Sequence, residues 1–315
     1  MPDRHMVTGG AGFIGSNLVH ALLDEGFAVR VLDDFSTGRK ENLAGVAGDV
    51  EVVEGGVADP AAVARAMDGV AVVYHQAAIP SVSRSVSDPV ATHEANATGT
   101  LNVLIAARDA GVSRVVYASS SSVYGDTQAL PVREDLPAAP LSPYGVAKLA
   151  GERYCTAFHA SYGLPTVALR YFNVFGPRQD PSSEYAAVVP RFATAVLAGV
   201  PPTVFGDGEQ SRDFTYVGDV VQANRKAETA PDGAFGAVFN VGQGGRTTIN
   251  RLLEMLQDLA GVERGDPVKA PARKGETRHS QADITRARQV LGFDPAVSLE
   301  EGLRRTLDWF RDHPG

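Results

Sequence analysis

Through the first half of the chain, short apolar, β-branched runs alternate with stretches whose apolar positions recur at helical spacing. That alternation predicts βαβ units and a parallel sheet. His5-Met6-Val7 reads as a first strand, residues 14–25 as a helix closed by Gly26, and residues 28–32 as a second strand. Glu51-Val52-Val53 reads as a third strand, followed by a helix over residues 61–67 and a fourth strand over 71–75. A long helix is predicted over about residues 88–110 and a fifth strand over 114–118. The helix carrying Tyr144 follows a loop with Pro131, Pro137, Pro140 and Pro143, and residues 166–170 make a sixth strand. From Phe172 the alternation decays and Gly and Pro become dense, which predicts a smaller second domain. That domain is interleaved with a return to the sheet near residues 237–241, and residues 249–259 and 299–310 are patterned as amphipathic helices that pack on it. The fold class predicted is therefore α/β: a doubly wound parallel sheet over residues 1–171, with about 214–241 returning to it. About 172–213 and 242–315 make a smaller mixed α/β domain.

Composition narrows the function. The chain has 315 residues, 44% hydrophobic and 21% charged, a length that suits one large or two coupled domains. A net charge of −8 without a basic patch argues against a nucleic-acid partner. The lone cysteine, Cys155, rules out an internal disulfide, fits a reducing compartment, and reads as a small buried hydrophobe. Neither a signal peptide nor a membrane-length apolar run is evident, so a cytoplasmic protein is expected.

Two segments carry candidate chemistry. Thr8-Gly9-Gly10-Ala11-Gly12-Phe13-Ile14-Gly15 lies between the first strand and the first helix, with Gly9, Gly12 and Gly15 spaced as Gly-x-x-Gly-x-x-Gly. Such a loop permits a tight turn and close backbone approach to a pyrophosphate, and aims a helix N-terminus at the phosphates. Asp33 ends the second strand 18 residues after Gly15. An acid there can bond a ribose diol and repels a 2′-phosphate, which favours NAD over NADP despite Arg39 and Lys40 nearby. The second segment is Tyr144-Gly-Val-Ala-Lys148, with Ser119-Ser120-Ser121-Ser122 ending 22 residues before the tyrosine. Tyr and Lys four apart share a helix face, and an ammonium beside a phenol favours the phenolate. Alone, that pair is equally a surface contact; the glycine loop supplies the cofactor site it needs.

With glycine loop, serine run and Tyr-x-x-x-Lys in this order, the chain resembles the extended short-chain dehydrogenase/reductase family, and within it the nucleotide-sugar 4-epimerases that act on UDP-hexoses and UDP-N-acetylhexosamines. The resemblance spans nearly the whole length. Further matching segments include residues 74–78, 96–100, 170–177, 206–208, 211–214 and 278–283. It implies a Rossmann-type sheet domain that binds NAD, a smaller C-terminal domain that binds a UDP-sugar, and a homodimer joined by a four-helix bundle from helices near 96–110 and 144–160.

By this resemblance Tyr144 is the base and Lys148 its electrostatic partner, also bonding the nicotinamide ribose. Ser120 bonds the sugar O4, with Ser122 a second polar contact and Ser121 between them. NAD is expected along Gly9, Gly12, Phe13, Ile14 and Gly15, then Asp33, Asp34, Ser36, Thr37 and Gly38. Gly56, Val57, Gln76, Ala77, Ala78, Asn96, Ala118 and Tyr171 complete its groove. Asn173 contacts the sugar-nucleotide phosphates, Phe205 lies against uracil, Arg212 and Arg273 clamp the pyrophosphate, and Glu276 bonds the uridine ribose. Ser81, Ala187, Val188, Val189 and Ser280 line the sugar side. No metal is expected. One departure stands out: the family commonly has an acid after Gly55, contacting adenine, where this chain has Gly56. His75 is given no catalytic role.

The reaction implied is inversion at sugar C4 through a 4-keto intermediate. Related 4,6-dehydratases carry an Asp-Glu pair where this chain has Ser121 and Ser122, and related decarboxylases carry Glu where Ser122 stands, so both chemistries are disfavoured. A non-catalytic NAD sensor on the same fold usually loses the Tyr or Lys, and this chain keeps both. Ser280 and the small apolar run at 186–189 favour UDP-N-acetylglucosamine and UDP-N-acetylgalactosamine, with UDP-glucose and UDP-galactose as further substrates. UDP-glucuronic acid is the rival, through Arg84, Arg178 or Arg191.

Overall fold

The computed structural model describes residues 4–46, 50–182, 187–272 and 277–313. Its centre is a seven-stranded sheet, parallel throughout. The first six strands are β1 (Arg4–Thr8), β2 (Val29–Asp33), β3 (Val50–Glu54), β4 (Val70–His75), β5 (Arg114–Ser120) and β6 (Thr166–Tyr171). They lie in the order 3-2-1-4-5-6, and the expected return, Ala237–Val241, pairs outside β6 as the seventh. This is the Rossmann order, whose direction reverses between β1 and β4 and leaves a crevice at their C-terminal ends.

Both faces of the sheet are covered, which is why its strands read as nearly continuous apolar runs. Helix α1 (Phe13–Asp24) packs on one face with Val7, Tyr74, Val116 and Leu169. Helix α2 (Pro60–Met67) packs on the other with Met6, Val73, Val115 and Ala168. Neighbouring strand residues thus alternate between the two cores, as the two-residue period of a strand demands. A third cluster, with Phe175, Phe192, Phe214, Leu252 and Leu307, gathers the C-terminal helices Ile249–Ala260 and Leu299–Asp312. Among the described residues no helix is long and apolar enough to cross a membrane.

The single helix expected over 88–110 is divided. Ser81 caps a short α3 (Val82–Ser87), and Asp88 with Pro89 starts α4 (Pro89–His93). The run then widens into a π-turn over Glu94–Thr98 before α5 (Gly99–Asp109). Asp88 and Pro89 are a strong start signal, while a π-turn has no sequence signature of its own.

Helix α6 (Pro143–Tyr162) carries the tyrosine. Ser142 caps it by accepting from Gly145 N at 3.1 Å, Pro143 occupies the first turn, and Gly163 closes it in the left-handed conformation. It lies unusually near β5: a Cβ on Gly145 would stand 2.8 Å from the Ser122 carbonyl, and one on Gly151 would overlap the fully buried Tyr117 hydroxyl. Gly151→Ala should therefore destabilise the protein, because overpacking of about 1–3 kcal/mol exceeds the roughly 1 kcal/mol gained from helix propensity. A lower thermal midpoint than wild type is the expected result, and a raised one refutes the close-approach argument.

Candidate active site

The glycine loop lies at the crevice. Gly9 has φ +68° and packs against the loop after β4, where a Cβ would be 2.7 Å from Ala77 Cα; a Cβ on Gly15 would overlap the Gly9 carbonyl. Gly12 begins α1 with no side-chain cap, so the first N–H groups of the helix, those of Phe13 and Ile14, stay open to an anion. Asp33 is buried at the end of β2, accepting from Ala11 N and Phe35 N, each at 2.8 Å. Burial pushes its pKa up, while those N–H groups pull it down. Gly38 lies against Asp33, and Asp34 accepts from Ser36 N at 2.9 Å and Ser36 Oγ at 2.6 Å, with Thr37 in the same turn. A Cβ on Gly56 would sit 3.2 Å from Asp34 Oδ2, so an acid at 56 would face another carboxylate. Val57 abuts Gly99 and accepts from Asn102 through its carbonyl. The Arg39 guanidinium is engaged by Asp180 at 2.8 Å and Ser182 at 3.0 Å. This uncapped helix end, Cβ-free loop and buried acid fit NAD.

A buried chain of hydrogen bonds fixes the far wall of the crevice. Thr100 Oγ1 donates to Asn96 O at 2.6 Å, so it accepts from His75 Nε2 at 2.9 Å. His75 Nδ1 then accepts from Thr8 Oγ1 at 2.7 Å, and Thr8 Oγ1 accepts from Ala77 N at 3.2 Å. The tautomer follows from this network. Burial pushes the His75 pKa down to about 3, so the ring is neutral. Asn96, in the π-turn, pins the segment after Ala78 by bonding Ile79 N at 2.8 Å and Ile79 O at 3.2 Å. Gln76 and Tyr171 share a network with Asn224, in which burial pushes the tyrosine up to about 12.

The expected Tyr-Lys pair lies across the crevice on α6. Tyr144 is half-buried and Lys148 buried; Lys148 Nζ donates to the Ala118 carbonyl at 2.8 Å and sits 5.9 Å from the Tyr144 ring centre. Burial pushes the Lys148 pKa down to about 7. Burial also pushes Tyr144 up, and its hydrogen bond with Ser120 pulls it down. Ser120 Oγ accepts from Ser122 N at 3.2 Å and Ser122 Oγ at 2.9 Å, which leaves its own proton for the phenol oxygen. The low-polarity setting of the pair opposes both charged forms. Ser121 begins the turn after β5.

On the substrate side, Asn173 takes a positive φ of 27° and donates to Asp213 O at 3.3 Å. Phe205 lies under the Arg191 guanidinium, 5.5 Å away, and Arg212 Nη1 bonds the carbonyls of Ser211 and Arg278 at 3.0 and 3.2 Å. Ser280 N donates to Ser211 O at 3.0 Å. Ser81 accepts from Arg84 N as a helix cap. Ala187 and Val188 are accessible at the start of helix Val188–Leu197, whereas Val189 is buried in the third core. Arg273, Glu276 and Ala186 lie outside the described residues.

Sequence reasoning passed over two residues that organise the site. Asp213 is fully buried and accepts from Gln243 N, Gly244 N and Ala282 N at 2.8–3.0 Å, binding three loops beside Arg212 and Ser280. Burial pushes its pKa up to about 6, against those three N–H groups. Glu152, also buried, forms an ion pair with Arg170 at 2.7 Å. The spacing Tyr144, Lys148, Glu152 was the available signal for the second.

Known proteins resemble this chain in sequence and fold. The UDP-glucose 4-epimerase of Mycolicibacterium smegmatis is 43% identical over 313 residues, covering 98% of this chain and 99% of its own. The crystal structure of UDP-glucose 4-epimerase from Thermotoga maritima with UDP-glucose has a TM-score of 0.93 at 40% identity, covering 99% of this chain and 100% of that one. UDP-N-acetylglucosamine 4-epimerase from Methanobrevibacter ruminantium M1, in complex with UDP-N-acetylmuramic acid, also has a TM-score of 0.93 at 40% identity, covering 99% of each chain. Residues 5–242 match the NAD dependent epimerase/dehydratase family, and the chain belongs to it.

Proposed function

We propose that the protein is a UDP-sugar 4-epimerase, with the UDP-N-acetylglucosamine/UDP-N-acetylgalactosamine pair favoured and UDP-glucose/UDP-galactose also turned over. The observation that carries this reading is the serine segment: Ser120, which accepts from Ser122 Oγ at 2.9 Å, acts on the Tyr144 phenol, and by resemblance Ser121 and Ser122 stand where a dehydratase has its carboxylates. Proton transfer at O4 is thereby provided for, and removal of water from C5 and C6 is not. Two relatives named as 4-epimerases, one for UDP-glucose and one for UDP-N-acetylglucosamine, support it.

In this mechanism Ser120 orients the sugar O4 and Tyr144 takes its proton, returning it after the 4-keto sugar has turned within the site. Lys148, as the ammonium, favours the phenolate. NAD held by these residues would supply reversible hydride chemistry at sugar C4 with no net oxidation. Asp33 holds the adenosine ribose, and Phe13 and Ile14 offer their N–H groups to the pyrophosphate. Arg212 and Phe205 hold the nucleotide firmly while the hexose stays loose, with Arg273 and Glu276 in the same role. Arginine suits phosphate because its planar fork stays charged and bonds oxygens in pairs. The sheet part, residues 1–171 with about 214–241, binds NAD, and the remainder binds the nucleotide sugar. A cytoplasmic location is part of this reading, and the lone, buried Cys155 is compatible with a reducing compartment.

A homodimer is part of this reading. Ile105 on α5 and Val146 and Tyr154 on α6 are exposed apolar side chains, and the two helices pack against each other. Four such helices, two from each copy, would bury them.

Four measurements test the proposal. NMR of products from each UDP-sugar should show C4 epimers and no dehydrated or decarboxylated species, and Tyr144→Phe should lose turnover by at least about 10²-fold while retaining NAD. A fully active Tyr144→Phe enzyme rules out the mechanism. Ser280→Tyr should suppress the N-acetylated pair selectively; equal rates for both pairs would refute that pocket argument. Val146→Glu should convert a dimer to a monomer in light scattering, and an unchanged mass would remove these helices from the interface.

A further inference from the structure

Tyr144, Lys148 and Glu152 recur every four residues along α6, and three consecutive residues at the end of β5 answer them. Ser120 lowers the Tyr144 pKa against burial, the Ala118 carbonyl accepts from Lys148 Nζ at 2.8 Å, and Ser119 Oγ donates to Glu152 Oε1 at 2.6 Å. From β6, Arg170 grips the same carboxylate twice, Nε to Oε1 at 2.8 Å and Nη2 to Oε2 at 2.7 Å. Glu152 is 1% exposed and Arg170 3%, with the Tyr124 ring 4.5 Å from the guanidinium. The proposed proton transfer uses neither residue. A buried ion pair contributes little net stability compared with apolar groups of the same volume, so packing alone is a weak reason for this one.

We infer that Glu152, clamped by Arg170 and Ser119, is a positioning residue that keeps Lys148 in its ammonium form and fixes α6 in register with the serine strand. The groups around the Lys148 ammonium support this. On α6 they are Tyr144, Glu152 and Cys155; β5 contributes the Tyr117 ring, 5.2 Å from Nζ, and β4 contributes neutral His75. Cys155 is buried, and burial pushes its thiol far above the ordinary range, so it carries no charge. Glu152 is the anion in this set, and its attraction is the larger of the two influences that raise the Lys148 pKa against burial. The double grip of Arg170 and the Ser119 bond fix the carboxylate in place.

The inference rests on Tyr144 acting as the base, and its test is independent of turnover. Lysine Cε resonances of the full-length protein are titrated by NMR, with Lys148→Met assigning the Lys148 signal. Glu152→Gln keeps an acceptor for Ser119 and removes the charge; it should lower the Lys148 pKa by about one unit or more. The alkaline limb of the activity profile should move down with it, a shift that a purely structural role would not produce. Because Glu152→Gln strands Arg170, the pair Glu152→Gln/Arg170→Met is measured alongside, since removing both charges together leaves no unpaired buried charge. There the Lys148 pKa should fall by less, as the departing cation offsets part of the loss. An unchanged Lys148 pKa in the double variant, or in a folded single variant, overturns the inference. Loss of turnover in Tyr144→Phe is a separate result and bears only on the base.

Discussion

The close approach of α6 to β5 governs the chemistry of this molecule. Gly145 and Gly151 leave the helix resting on the Ser122 carbonyl and the Tyr117 ring, so side chains of ordinary length reach the end of the strand. Only at that separation can Lys148 bond the Ala118 carbonyl while Tyr144 stays beside Ser120. A side chain at either glycine would move the helix outward and open these contacts together. The geometry of the proposed proton relay is therefore set by two residues that have no functional groups.

The opposite wall of the crevice follows the same logic with different means. Parallel strands β1 and β4 end side by side at the reversal of strand order, and Gly9 lets their loops touch. The Thr8–His75–Thr100 chain then ties both strands to the helix that follows β4. His75 is held neutral by burial, so the chain has one fixed direction of donors and acceptors. A charged ring at that position would reverse one bond and leave Thr8 unable to donate.

Much of this was legible in the sequence, for identifiable reasons. The inner strands and the return at Ala237–Val241 carried a strong signal because most of their residues are buried, whereas the half-exposed edge strand β3, with Glu51 and Glu54, was legible only through its valines. Glycine spacing and Asp33 announced the dinucleotide crevice because backbone approach there admits no Cβ. The π-turn at Glu94–Thr98 left no trace, since its extra residue is a property of packing and not of local propensity. Asp213 and Glu152 were missed because a buried carboxylate looks like any other acid in a sequence. Its partners are backbone N–H groups from distant loops in one case and Arg170 in the other.

The electrostatics of α6 bring these threads together. Burial alone drives Tyr144 and Lys148 toward a neutral phenol and a neutral amine, with the lysine already near 7. A phenolate beside an ammonium thus needs charge from outside the pair. Glu152 supplies a negative charge on the lysine side, one helical turn from it, and the oxidised nicotinamide is positive where the family's reaction begins. The two act on different members of the pair, and neither substitutes for the other: a cation near the phenol favours the phenolate but disfavours the ammonium. A carboxylate fixed behind the lysine resolves that conflict, which is why a buried acid belongs on this helix face while Ser121 and Ser122 keep acids away from the sugar.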